Sequence, residues 1–164
     1  MRIRRAENGD IKDLVEVYLQ GYKGLEEYSY THSEDVQAYL NWLFRRDVAG
    51  IWVAEEDGKI VGFVASDGNW FSKREGKVVG AIHELVILPE YRNKGIGKAL
   101  VEKVIEYFKS RGLDTAELWT ATDTVPFEQK QPLCFLCYPV FSQTLQRIGK
   151  KKNILRKEKE SEFS

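Results

Sequence analysis

The stretch Val86-Ile87-Leu88-Pro89-Glu90-Tyr91-Arg92-Asn93-Lys94-Gly95-Ile96-Gly97-Lys98-Ala99-Leu100 decides the fold. An apolar strand runs into a proline, then a turn rich in glycine and basic residues, then a long helix. Gly95 and Gly97 allow a backbone approach that a Cβ would block. The amides from Asn93 to Ala99 gather at a helix start, where N–H groups lack intrahelical partners and the dipole adds positive charge. Arg92, Lys94 and Lys98 bring full charges to the same place. The pattern is that of an anion site, and a phosphate is the natural occupant. It is not a Walker loop, because no Gly-Lys-Ser/Thr follows the glycines. It is not a dinucleotide fingerprint, which needs three spaced glycines. An ordinary strand-to-helix turn is the plain alternative.

The flanks weigh against that alternative. Glu84 to Leu100 resembles the acetyl-CoA motif of the GNAT N-acetyltransferase superfamily, in which Gln/Arg-x-x-Gly-x-Gly/Ala follows a strand ending in Val-x-Pro. The resemblance implies that acetyl-CoA is the cosubstrate, with its pyrophosphate on Arg92, Asn93, Lys94, Gly95, Ile96, Gly97, Lys98 and Ala99. It also implies a pantetheine arm paired with the backbone of Val86, Ile87 and Leu88.

Composition bounds the rest. The chain has 164 residues, 43% hydrophobic, which suits one domain with a real core. Basic and acidic residues number 25 each, so no net field draws the protein to nucleic acid or a membrane surface. No apolar run reaches the roughly 20 residues of a membrane helix. The first residues have no apolar core of a signal peptide, so a cytoplasmic location is expected.

Ile3 to Arg5 reads as a strand. Asp10 is placed to cap a helix to about Gln20, with Ile11, Leu14, Val15, Tyr18 and Leu19 on its apolar face. Gly21 to Tyr30 reads as a loop. Thr31 and Glu34 suggest a capping box, followed by a helix with Val36, Tyr39, Leu40 and Leu43 inward. Gly50–Glu56 and Lys59–Ser66 flank an Asp57-Gly58 hairpin turn. Asp67 to Lys77 reads as a loop, Val78 to Leu88 as a strand, and Thr115 to Thr120 as another after the helix that Gly112 stops. The order predicts an α/β fold: a mixed, mostly antiparallel sheet with one parallel strand–helix–strand unit and helices on both faces. The GNAT fold has this order over roughly residues 1 to 120. A single domain is expected over 1–147, with a charged tail over 148–164. Residues 123–140 hold three of the four prolines and both cysteines; against the family pattern they read as an insertion, either a divergent lid or a coding irregularity.

Glu84 is the candidate general base, because a carboxylate inside an apolar strand is costly unless used or paired. Regular alternation would put Ile82, Glu84, Val86 and Leu88 on one face and His83, Leu85 and Ile87 on the other. His83 is the alternative base; a packed core histidine or an ion-paired glutamate are the plain readings. By resemblance, Tyr138 is the candidate acid for the leaving thiolate. Tyr22, Tyr28 and Tyr30 either wall the acceptor site, through packing or cation–π contact, or cover the core edge. Cys134-x-x-Cys137 reads as buried thiols rather than a redox or zinc pair, and no metal is expected. The basic run from Arg147 to Lys159 is diluted by Glu158, Glu160 and Glu162 and reads as a solvated tail. The implied activity is acetyl transfer from acetyl-CoA to a primary amine: a protein N-terminus, a lysine, a polyamine or a small metabolite. The alternative is an acyl-CoA-binding sensor without turnover. Monomer and homodimer both remain open.

Overall fold

A computed structural model describes residues 1–118. Tyr138, Cys134, Cys137, residues 123–140 and the tail lie outside the described residues. The elements are β1 (Arg2–Arg5), α1 (Ile11–Gly21), α2 (Ser33–Asp47), β2 (Ile51–Glu56), β3 (Lys59–Ser72), β4 (Lys77–Ile87), α3 (Ile96–Ser110) and β5 (Ala116–Leu118). The sheet runs β1-β2-β3-β4-β5. Its first three pairings are antiparallel, and β4–β5 is parallel across the α3 crossover. This is the mixed sheet that the sequence predicts.

Side chains alternate through the sheet, except at a β2–β3 register shift that leaves Val61 as an extra residue, and feed two apolar layers. Phe63, Val53 and Val86 pack with Leu14 and Tyr18 of α1 and Val36, Leu40 and Leu43 of α2. Val64, Val61 and Ile82 pack with Leu100, Val104 and Phe108 of α3. The β2–β3 hairpin turns at Asp57 and Gly58, both left-handed at φ 50° and 76°, as a two-residue turn of that kind requires. No described helix is long and apolar enough to cross a membrane.

Three local expectations are corrected. Asp67 to Lys77 is not one loop: β3 continues to Ser72 and β4 begins at Lys77. An irregularity between Asp67 and Trp70 takes up Gly68 and Asn69, so polar residues enter the ladder instead of leaving it. The Thr31–Glu34 capping box is absent, because α2 starts at Ser33 with His32 at its N-cap, and Thr31 Oγ1 lies 3.1 Å from His32 Nδ1. Asp10 does stand at the α1 N-cap, but its carboxylate gives the helix no cap hydrogen bond. It accepts from Arg4 Nη1 and Nη2 at 2.7 and 2.9 Å and from the Glu7 N–H at 2.8 Å. Hydrogen bonding by Arg4 holds this carboxyl below its usual range.

Candidate functional site

The glycine turn connects β4 to α3. One turn of 3-10 helix, Pro89–Tyr91, follows β4. Asn93 and Gly95 then adopt left-handed backbone at φ 62° and 80°. Gly95 is the α3 N-cap, and the Ala99 N–H returns to its carbonyl at 3.1 Å. The amides of Ile96, Gly97 and Lys98 precede that first helical bond, so they point out of the helix end. Among the described residues nothing packs closely enough on Gly97 to require glycine. A Cβ there would meet only Leu85 Cδ2 among them, at 3.9 Å, although alanine would favour the helix by about 1 kcal/mol. The open space above this amide suits a phosphate oxygen. The three cations differ in their engagements. Arg92 works as a strap: its Nε donates to the Ile87 carbonyl at 3.1 Å and its Nη2 to the Gly21 carbonyl at 2.7 Å. Lys94 lies over the Tyr91 ring at 4.8 Å, and Lys98 is exposed.

The β4 backbone divides its groups between two edges. Leu88 donates its N–H to the Val61 carbonyl at 3.0 Å, and the register pairs Phe63 with Val86 and Gly62 with Ile87. Antiparallel alternation therefore sends the backbone groups of Val86 and Leu88 toward β3, and those of Leu85 and Ile87 toward the opposite edge. Of the three residues expected along a bound arm, only Ile87 has its backbone groups on that edge. Described pairing of β5 with β4 runs to Ile82 opposite Leu118.

Glu84 lies on the α1/α2 side of β4 and is 8% exposed. Its neighbours are phenols. Tyr22 Oη donates to Glu84 Oε2 at 2.6 Å, and Tyr39 Oη donates to Oε1 at 2.9 Å. Burial, followed by the Glu84 charge, pushes both tyrosines well above the ordinary phenol value. They stay protonated as donors at any working pH. The rings form a continuous set: Tyr18 to Tyr22 at 4.7 Å, Tyr30 to Tyr39 at 5.4 Å, and Tyr39 stacked on Trp42 at 6.0 Å.

The regular alternation expected of β4 fails at His83. Ala65 faces Glu84 but Ser66 faces Ile82, so His83 is an extra residue in the ladder. This bulge shifts the phase by one. Ile82 packs with the α3 layer while Glu84 and Val86 face α1 and α2. His83 sits edge-on to Trp42 and Trp70, at 5.8 and 5.5 Å. Its Nε2 is 3.7 Å from Asp67 Oδ2. Burial works against ionising Asp67, but His83, the Asn69 N–H at 2.7 Å and Arg46 Nε at 2.5 Å outweigh it, and its pKa falls to about 2. A second buried carboxylate, Asp47, accepts from the Gly68 N–H at 2.7 Å and from Tyr107 Oη at 2.5 Å. Burial and then that hydrogen bond push Tyr107 up to about 12.

Tyr22 thus meets Glu84, whereas Tyr39, read from sequence as a core residue of α2, is the partner that sequence reasoning missed. A signal existed: a phenol inside the Val36-Leu40-Leu43 stripe needs a polar partner somewhere.

The profile of the acetyltransferase (GNAT) family matches residues 12–127. The chain belongs to this family. An Archaeoglobus fulgidus protein described as an uncharacterized N-acetyltransferase is 55% identical over 119 residues, 73% of this acetyltransferase and 81% of that protein. A Pyrococcus horikoshii crystal structure superposes with a TM-score of 0.69 at 34% identity, over 79% of this chain and 83% of the other. An N-acetyltransferase from Thermoplasma acidophilum, solved in complex with coenzyme A, shares the fold at a TM-score of 0.59 and 21% identity, over 79% and 85%. This GNAT enzyme is an acetyltransferase that uses acetyl-CoA. Among the described residues, no group of three or more His, Cys, Asp or Glu is arranged to hold a metal ion.

Proposed function

We propose that this GNAT enzyme acetylates a primary amine, with Glu84 as general base, and that the turn from Arg92 to Ala99 holds the pyrophosphate of the donor. The observation that carries the reading is the buried Glu84 carboxylate. Both of its oxygens accept hydrogen bonds from phenols, on the strand that leads directly into the glycine turn.

Acetyl-CoA supplies an acetyl group activated as a thioester; transfer forms a C–N bond and breaks the C–S bond. The chain's residues have three tasks. Glu84 takes the proton of the incoming ammonium, since only a neutral amine carries the attacking lone pair. Tyr22 and Tyr39 fix the carboxylate in one orientation, which lowers the cost of presenting it to the amine. The Leu85 backbone groups and the Ile87 N–H, on the β4 edge that faces away from β3, receive the donor's amide-bearing arm as an added strand would be received. Tyr138 is assigned to protonate the leaving thiolate, a modest task because a free thiol has a pKa near about 8.5.

A sensor that binds acyl-CoA without turnover would need the turn but not a clamped, buried carboxylate. Glu84→Gln decides between them. Thiol release over a panel of amines should fall about 100-fold or more at neutral pH and by less at high pH, where free amine accumulates. A near-normal rate at every pH would remove Glu84 from the mechanism.

A further inference from the structure

We propose that the acceptor is a linear aliphatic amine carrying two or more positive charges, a diamine or polyamine, laid along an aromatic track on α2 with one terminal nitrogen at Glu84. This rests on the amine-transfer reading above and adds the substrate class.

The track follows from helix geometry. Asp35, Tyr39, Trp42 and Arg46 recur at helical spacing along α2 and so share one face. Tyr39 and Trp42 stack with an interplanar angle of 16°, and Tyr30 extends the row from the preceding loop. Tyr30 and Trp42, each against Tyr39, are 49% and 38% exposed. Tyr39 joins the track to the chemistry, because the ring that stacks on Trp42 carries the hydroxyl that donates to Glu84.

One ring of the track, Trp42, already faces a cation of the chain. The Arg46 guanidinium lies 5.2 Å over Trp42 and 5.5 Å over Trp70 while pairing with Asp67. That pairing neutralises the Arg46 charge at the far end of the track. The sequence between Lys23 and Arg45 is acidic. From Gly24 to Phe44 the sequence has Glu26, Glu27, Glu34 and Asp35 and no Lys or Arg, in a protein with 25 charges of each sign. Glu34 and Asp35 also suit the α2 dipole; Glu26 and Glu27 belong to the preceding loop and do not serve it. A monoamine would need only Glu84. Aromatic faces and further carboxylates beyond it match further positive charge on a flexible apolar chain. A peptide acceptor fits less well, because this surface offers rings on one helix rather than an open strand edge.

The test compares spermidine with n-butylamine by thiol release at saturating acetyl-CoA. The expected kcat/KM ratio is about 100-fold in favour of spermidine, shrinking as salt screens the carboxylates. Trp42→Ala should cut that ratio about tenfold, chiefly through KM. The exposed pair Glu34→Gln with Asp35→Asn should also cut it, in a variant with little reason to misfold. A ratio near unity, or one unchanged in both variants, overturns the assignment while leaving amine transfer intact. So does a lysine peptide or tryptamine that outperforms spermidine. If no amine releases thiol, the transfer reading fails, and spermidine quenching of tryptophan fluorescence decides the track separately: quenching lost in Trp42→Ala supports it, and none in the wild type overturns it.

Discussion

The two ends of the β4 region are built by different means. The glycine turn is made of backbone: two left-handed residues, a helix start and, among the described residues, clear space over Gly97, all within a few consecutive positions. The Glu84 pocket is made of side chains brought from the residue that follows α1, from α2 and from β4, with partners 62 and 45 residues apart in sequence. A local device tolerates change in its surroundings and fails when its own backbone is blocked. An assembled device is sensitive to every element that delivers a side chain. The two should therefore separate under mutation, one by donor binding and the other by turnover.

The largest effect is expected from Gly97→Trp. An indole over the turn occupies the space that a phosphate oxygen would take, so acetyl-CoA affinity measured by calorimetry should fall by about 100-fold or more. The thermal midpoint should hold, because a Cβ at Gly97 would meet nothing closer than Leu85 Cδ2, at 3.9 Å, among the described residues. Unchanged affinity would remove the turn from donor binding.

Smaller effects are expected from Tyr22→Phe and Tyr39→Phe. Each deletes a donor to a buried carboxylate, a hydrogen bond of about 1.5–3 kcal/mol when one partner is charged. Because such donors favour the ionised form, the acid limb of kcat/KM should move to higher pH in each variant, with acetyl-CoA affinity unchanged. A purely structural role would lower the melting temperature and leave the limb in place.

The smallest effects concern the supports rather than the site. Asp67 titrates at about 2, below an ordinary carboxylate. Its contribution to stability is thus present above pH about 4 and lost as pH falls toward its folded value. Asp67→Asn should flatten the acid side of the urea-stability curve. Tyr107 is shifted the other way, to about 12. Its contribution is complete below the ordinary phenol value of about 10 and fades as pH rises through its folded value, so Tyr107→Phe should flatten the alkaline side.

The same contrast explains what was legible. The turn could be read because glycines, cations, strand and helix start are all neighbours in sequence. The sheet order could be read because hydrophobic periodicity and the Asp57-Gly58 turn are local. Glu84 stood out as a carboxylate among Ile, Leu and Val. Its partner Tyr39 did not, because ring burial and hydroxyl bonding look alike in a helical stripe until the strand beneath is known. The face that Ile82 takes was misread for a related reason. The His83 bulge has no local signature, being created by the mismatch between β3 and β4. The β3 extension past Asp67 was hidden by its polar residues, whose partners Arg46, Asp47 and Glu117 come from other elements.

The most direct test of this division is to measure Glu84→Gln twice, by acetyl-CoA titration and by amine-dependent thiol release. The expected result is wild-type donor affinity with turnover lost at neutral pH. Loss of donor affinity together with activity, or turnover that matches the wild type, would contradict it.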